Sequence, residues 1–166
     1  MKKFLSFSII YLFVFIGISS EGEEKKNTLK DEKIHITADK LVTDTQSKIA
    51  EFIGHVKATQ GSNVINSDRL KIYYKEKKSD TNEDSIKKII AKGHVTIYFD
   101  DKIANSEEAE YTTEDRILLL KGPNSKVISG KNFISGDKII FNRNDGKVFV
   151  EKGVEALIYP KDKGLN

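Results

Sequence analysis

The tripeptide Gly-His-Val occurs twice, at Gly54-His55-Val56 and at Gly93-His94-Val95, each time inside a run with a two-residue period. Around the second copy, Ile89, Ala91, Gly93, Val95, Ile97 and Phe99 alternate with a set that includes Lys92, His94, Thr96 and Tyr98. Around the first, Phe52, Gly54, Val56 and Ala58 fall on one side in the same way. That period belongs to a β-strand with one buried and one wetter face. The flanking sequence repeats as well. Asn66-Ser67-Asp68 is answered by Asn105-Ser106-Glu107, and Gly54 to Gly93 and Ser67 to Ser106 both span 39 positions. Two blocks held in register over such a distance constrain the fold to one supersecondary unit stacked on copies of itself.

Further copies fill the chain. Gly122 with Val127, followed by Ser135-Gly136-Asp137-Lys138-Ile139-Ile140-Phe141, forms a third, and Val150-Glu151-Lys152-Gly153-Val154 opens a degenerate fourth. Upstream, Thr37-Ala38-Asp39-Lys40-Leu41 matches Ser67-Asp68-Arg69-Leu70. Asp39 to Asp68 and Gly93 to Gly122 span 29 positions, and Gly122 to Gly153 spans 31. The period is therefore about 30, and the longer spacing contains an insertion. Lys75 to Ser85 supplies it: eleven residues without one apolar side chain, the composition of a solvated hairpin tip. With two or three short strands per unit, the expectation is an all-β, elongated, twisted body, open at both ends. No stripe at helical spacing longer than a turn or two occurs after residue 20.

The first 20 residues stand apart. Lys2 and Lys3 precede an apolar run of 15, Phe4 to Ile18, and Ser19-Ser20 closes it before the charged stretch from Glu21. This is the pattern of a secretory signal peptide, with an uncleaved anchor as the alternative. The run is short against the roughly 20 apolar residues of a membrane span. Residues 21–32 read as a flexible leader, 33–160 as the β domain and 161–166 as a tail. Loss of Lys2 and Lys3 would bring the net charge of +3 to about +1, so the exported chain is not basic. An exported chain with no cysteine has no disulfide framework, and must be held by strand pairing and apolar burial.

Catalytic chemistry finds no foothold. His35, His55 and His94 lie on strands opposite the inward face, with no metal-ligand spacing around them, so no metal, cofactor or catalytic residue is expected. Asp39, Asp68 and Asp137 recur once per unit, as structural turn or edge residues do and a single active site does not. Lys and Arg are dispersed and do not alternate with aromatics, which argues against nucleic acid as a partner. Gly122-Pro123-Asn124-Ser125 is the strongest loop signal, and Asn144-Asp145-Gly146 reads as a hairpin turn.

What remains is the inward face: Phe52, Val56, Leu70, Ile72, Tyr74, Ile89, Val95, Ile97, Phe99, Tyr111, Phe133, Ile139, Phe141, Val148 and Val150. It is either an ordinary packed core or a groove for acyl chains, and both demand the same residues. At the two ends, Ile34 and Ile36 in the first strand and Val154, Ala156, Leu157 and Ile158 in the last mark edges with little to block pairing. A first strand joined to another copy's last strand makes a head-to-tail contact that propagates.

Ala38-Asp39-Lys40-Leu41, Ala50-x-Phe52-x-Gly54-His55-Val56, Ser67-Asp68 with Leu70 and Tyr73, Ala91-x-Gly93-His94-Val95 and Gly136-Asp137-x-Ile139 resemble the OstA-like family in order and spacing, over about residues 33–158. The resemblance implies a twisted, open-ended β-jellyroll, exported to the periplasm, that carries the lipid part of lipopolysaccharide or a related glycolipid in its apolar interior. It also implies contacts with an inner-membrane-anchored subunit and an outer-membrane subunit of one export system. The insertion at 75–85 departs from the family pattern. If residues 1–20 stay attached, the anchored subunit of the same fold is the alternative, and a structural β-solenoid is the alternative from outside the family.

Overall fold

The computed structural model describes residues 33–75 and 86–160, and these form a single antiparallel sheet of ten strands. The signal segment, the leader, the tail and most of the polar insertion lie outside the described residues. The strands are β1 (His35–Thr37), β2 (Lys40–Asp44), β3 (Ile49–Gln60), β4 (Asn63–Tyr74), β5 (Ile86–Phe99), β6 (Lys102–Thr112), β7 (Ile117–Ser129), β8 (Asn132–Asn142), β9 (Val148–Glu151) and β10 (Glu155–Leu157). Strands β3 to β8 run as an unbroken meander, each paired with its chain neighbours. At one margin β1 and β2 both pair with β3; at the other β9 and β10 both pair with β8. Each margin is therefore one long strand broken in its middle.

The breaks belong to a line that crosses the whole sheet. The ladder slips between Ile53 and Val56, Asn66 and Arg69, Lys92 and Val95, Asn105 and Glu108, and Lys121 and Ser125. A bulge bends its strand, and bulges aligned on neighbouring strands bend the sheet. Here the sheet folds back so that two half-sheets face each other. Phe99, above the line on β5, meets Phe141, below it on β8, with ring centroids 5.9 Å apart and planes at 81°. Three strand spacings of about 4.8 Å separate β5 from β8 in a flat sheet, so only a folded one brings these rings together.

The hairpins on the upper side are two-residue turns at 61–62, 100–101 and 130–131. Gly61, Asp100 and Gly130 take φ of 57°, 52° and 58° there, as tight hairpins require. Lower connections are longer. In the first of them the Asp44 carboxylate accepts from the Gln46 and Ser47 amides at 2.9 and 3.1 Å and from the Ser47 hydroxyl at 2.6 Å. The sequence repeat thus resolves into units of two strands, each pairing an acidic-residue strand with a Gly-bulge strand.

The structure departs from the sequence expectations in three places. Gly122-Pro123-Asn124-Ser125 is no loop; it is the widest bulge on the fold line, inside a continuous β7. Strand β2 exists where the sequence showed no alternation. Phe133 does not face inward. The slip at Asp137 reverses parity on β8, so Ile134 packs against the core while Phe133 lies on the outer face, with the Lys126 ammonium 3.6 Å from its ring centre.

Candidate lipid-carrying interior and terminal edges

Strand register extends from one margin of the sheet to the other, so each level of the fold is a row of side chains. One inward row below the fold line runs Leu41, Phe52, Leu70, Ala91, Ala109, Leu120, Ile139, Val150. Above the line, Ile36, Ala58, Ile65, Ile97, Ala104, Val127, Ile134 and Ala156 form its counterpart. These rows face each other and make the apolar interior. Leu70, Val56, Val95, Leu120 and Ile139 are almost wholly buried. Phe52, Ile89, Tyr111, Phe141, Val148 and Val150 are half-buried against them. Ile72, Ile97 and Phe99 are buried too, and Tyr74 lies half-buried at the end of β4, opposite Ile86. Fourteen of the fifteen inward residues proposed from alternation are thus on one lining; Phe133 is the exception. Alternation missed Ile65, Ala104, Leu118, Leu120, Val127 and Ile134. Their signal was hidden by the parity reversals on β4, β6, β7 and β8 and by the unbroken apolar run Ile117 to Leu120.

The middle of this interior is filled by its own side chains. Toward the β1 margin it opens as an apolar cleft between Ile34, Ile36, Ala58 and Ile65 on the upper half-sheet and Leu70, Ile72 and Ile89 on the lower.

The fold line is built from the repeated residues. Gly54 and His55 take φ of 80° and 44°, Gly93 and His94 take 77° and 47°, and Lys152 and Gly153 take 60° and 62°. A β-carbon on Gly54 would collide with the Asp39 carboxylate, and one on Gly93 with that of Asp68. His55 Nδ1 bonds Asp39 at 2.7 Å and His94 Nδ1 bonds Asp68 at 2.8 Å. Hydrogen bonding and charge from Asp39 push the His55 pKa up. The third unit puts Glu107 against Gly122 with Pro123 following, and the fourth puts Asp137 beside Gly153, so histidine is absent from both. The recurring acids pack along the fold line: Asp68 and Asp137 at bulges inside the sheet, and Asp39 on its edge, in the break between β1 and β2.

Just below the fold line on the outer face runs a charged row: Lys40, Ile53, Arg69, Lys92, Glu108, Lys121, Lys138, Glu151. Glu108 sits between Lys92 at 2.8 Å and Lys121 at 3.1 Å, and Glu151 reaches Lys138 at 3.1 Å. The Lys92 ammonium, helped by Lys121, holds the Glu108 carboxyl below its ordinary pKa.

Apart from Tyr98 on β5 and Ile103 on β6, the large apolar side chains that remain exposed among the described residues gather at the margins. Ile34, Leu41 and Val42 lie at one, and Phe149, Val154, Leu157, Ile158 and Tyr159 at the other, with Leu41 and Phe149 each 54% and Val154 60% exposed. Each margin also offers unpaired backbone groups along its outer side.

Residues 35–147 match the family described as LptA/(LptD N-terminal domain) LPS transport protein. The chain belongs to this family. LptH, the LptA-homologous periplasmic component of the lipopolysaccharide transport device of Pseudomonas aeruginosa, has a similar structure. The likeness has a TM-score of 0.68 at 17% identity, covering 79% of this chain and 98% of that one. No curated protein sequence matches. For a member of the LptA/LptD N-terminal family, the all-β open sheet folded into a jellyroll is the family fold, and the OstA-like resemblance in the repeated motifs rests on the fold line itself.

Proposed function

We propose that this protein is a periplasmic carrier in lipopolysaccharide transport that shelters acyl chains between its two half-sheets and bridges membrane-bound subunits of the export machinery. The observation that carries this reading is the folded sheet: one continuous apolar lining, unclosed at both margins, in a chain of a lipopolysaccharide-transport family. Burying hydrocarbon against that lining removes apolar surface from water on both partners, at about 25 cal/mol per Å². The cleft at Ile36, Ile65 and Ile72 is the entry, since the lining there is not filled by its own side chains. Further along, the half-sheets separate to admit the chains, turning about the fold line. The exposed apolar margins dock strands of like-folded partners, which continues the lining from one molecule to the next.

Export by residues 1–20 places the protein in the periplasm. A mature N-terminus near Ser20 or Glu21 is expected; Met1 retained in the membrane fraction would reassign the chain to the anchored subunit of the same system. For the carrier itself, a photo-cross-linking residue at Ile36 should capture lipopolysaccharide, and lipid should appear in mass spectra of the gently purified protein. Ile65→Asp should abolish both while strand content stays unchanged, because an unpaired carboxylate facing hydrocarbon is costly and Ile65 is only half-buried. Wild-type protein free of lipid, with no capture at Ile36, would leave a structural β-scaffold as the better reading.

A further inference from the structure

We infer that two copies of this chain join at a single fixed register, in which Glu151 of one copy lies directly opposite Lys40 of the next. This rests on reading the terminal margins as assembly edges, and it adds the residue-level code by which they recognise each other.

The register follows from the internal repeat. Acidic-residue strands alternate with Gly-bulge strands across the sheet, and the last margin is of the bulge kind while the first is of the acidic kind. Abutting them continues the alternation without a fault. At every such junction inside the molecule, the residue just below the bulge faces the residue just after the acid: Ile53 faces Arg69, Lys92 faces Glu108, and Lys121 faces Lys138. On β9 the residue below the bulge is Glu151, since Glu151 faces Lys138 as Ile53 faces Lys40. On β2 the residue after Asp39 is Lys40. The same geometry therefore sets Glu151 against Lys40 of the next copy.

Chemistry agrees with geometry at that register. The charged row begins with a lysine and ends with a glutamate. Among the described residues Glu151 has a lysine on one side only, whereas its counterpart Glu108 has one on each side, at 2.8 and 3.1 Å. Lys40 of the next copy supplies the missing one. One level down on the outer face, Phe149 meets Val42, both exposed in the single copy. On the inward face Val150 meets Leu41, and above the line Ala156 meets Ile36, so the lining runs on. A slip by one residue would turn each apolar side chain to the wrong face. A slip by two would put Glu151 against Val42 and break the fold line at the joint.

The chain has no cysteine, so introduced thiols are the only ones present. Full-length Glu151→Cys is mixed with Lys40→Cys, Ala38→Cys or Val42→Cys and oxidised gently. A mixed disulfide dimer should form with Lys40→Cys and at least tenfold less with the two variants displaced by two residues. In uncross-linked protein, Lys40→Glu should weaken association about two- to fivefold at low salt, with the difference shrinking as salt is raised. Oligomers that cross-link preferentially through Ala38→Cys or Val42→Cys overturn the register and leave the bridging reading standing. A wild-type protein that stays monomeric at high concentration and gives no mixed disulfide overturns both.

Discussion

His55 and His94 show how one residue type can hold an unusual backbone in place. A non-glycine residue at positive φ is uncommon, and histidine is among the side chains that tolerate it. Here each ring is tied to the aspartate packed over the neighbouring glycine, so the strained dipeptide and the acid form one unit. Because the His55 pKa is raised, the Asp39 pair stabilises the fold below the ordinary histidine pKa of about 6.5 and loses its effect as pH rises through the raised value. The His55 ring protons should titrate above 6.5 by NMR, and Asp39→Asn should bring that midpoint down. The gap in melting temperature between wild type and Asp39→Asn should be widest below the ordinary histidine pKa and narrow as pH rises through the raised one. Gly93→Ala tests the other half of the unit. It combines a φ of 77° with a collision against Asp68, and should cost about 1–3 kcal/mol in urea unfolding. Gly130→Ala, where φ is 58° and nothing lies near the added carbon, isolates the conformational part and should cost less.

At the level of strands, the two-residue period located most of the sheet because each strand has one dry and one wet face. It failed where a bulge intervenes. Alternation counts residues, whereas the ladder skips one at Asp68, Glu107 and Asp137, so a face assigned on one side of the fold line does not carry across. Phe133 is the clear case, and Phe133→Ala separates the two assignments. An inward phenylalanine would cost about 3–5 kcal/mol on truncation, whereas the observed outer ring beneath Lys126 should cost about 1 kcal/mol. Leu120→Ala, on the fully buried inward row, should cost about 2–5 kcal/mol. Strand β2 was illegible for another reason. As a margin strand it exposes Leu41 and Val42 alike, so no period marks it. The Gly-Pro-Asn-Ser sequence reads as a loop because a wide bulge takes the same positive φ, here at Gly122 and Asn124, that a turn takes. The inward lining was legible as a surface, but whether it is a core or a groove depends on the separation of the half-sheets, which periodicity does not encode.

For the whole molecule, the margins decide what it can build. Ala156→Pro removes a backbone donor and fixes φ in the last strand, and should lower the oligomer mass seen by sedimentation while leaving circular dichroism nearly unchanged. The meander has a further consequence, for the route to the native state. Strands β3 to β8 each bond only to neighbours in the chain, so no long loop must close before the first contacts form. Folding can nucleate at any tight hairpin and grow by adding strands on either side. The last strand added is also the first to leave. Amide exchange should be slowest in β5 to β7 and fastest in β1 and β10, with protection spreading into those outermost strands when a second copy docks.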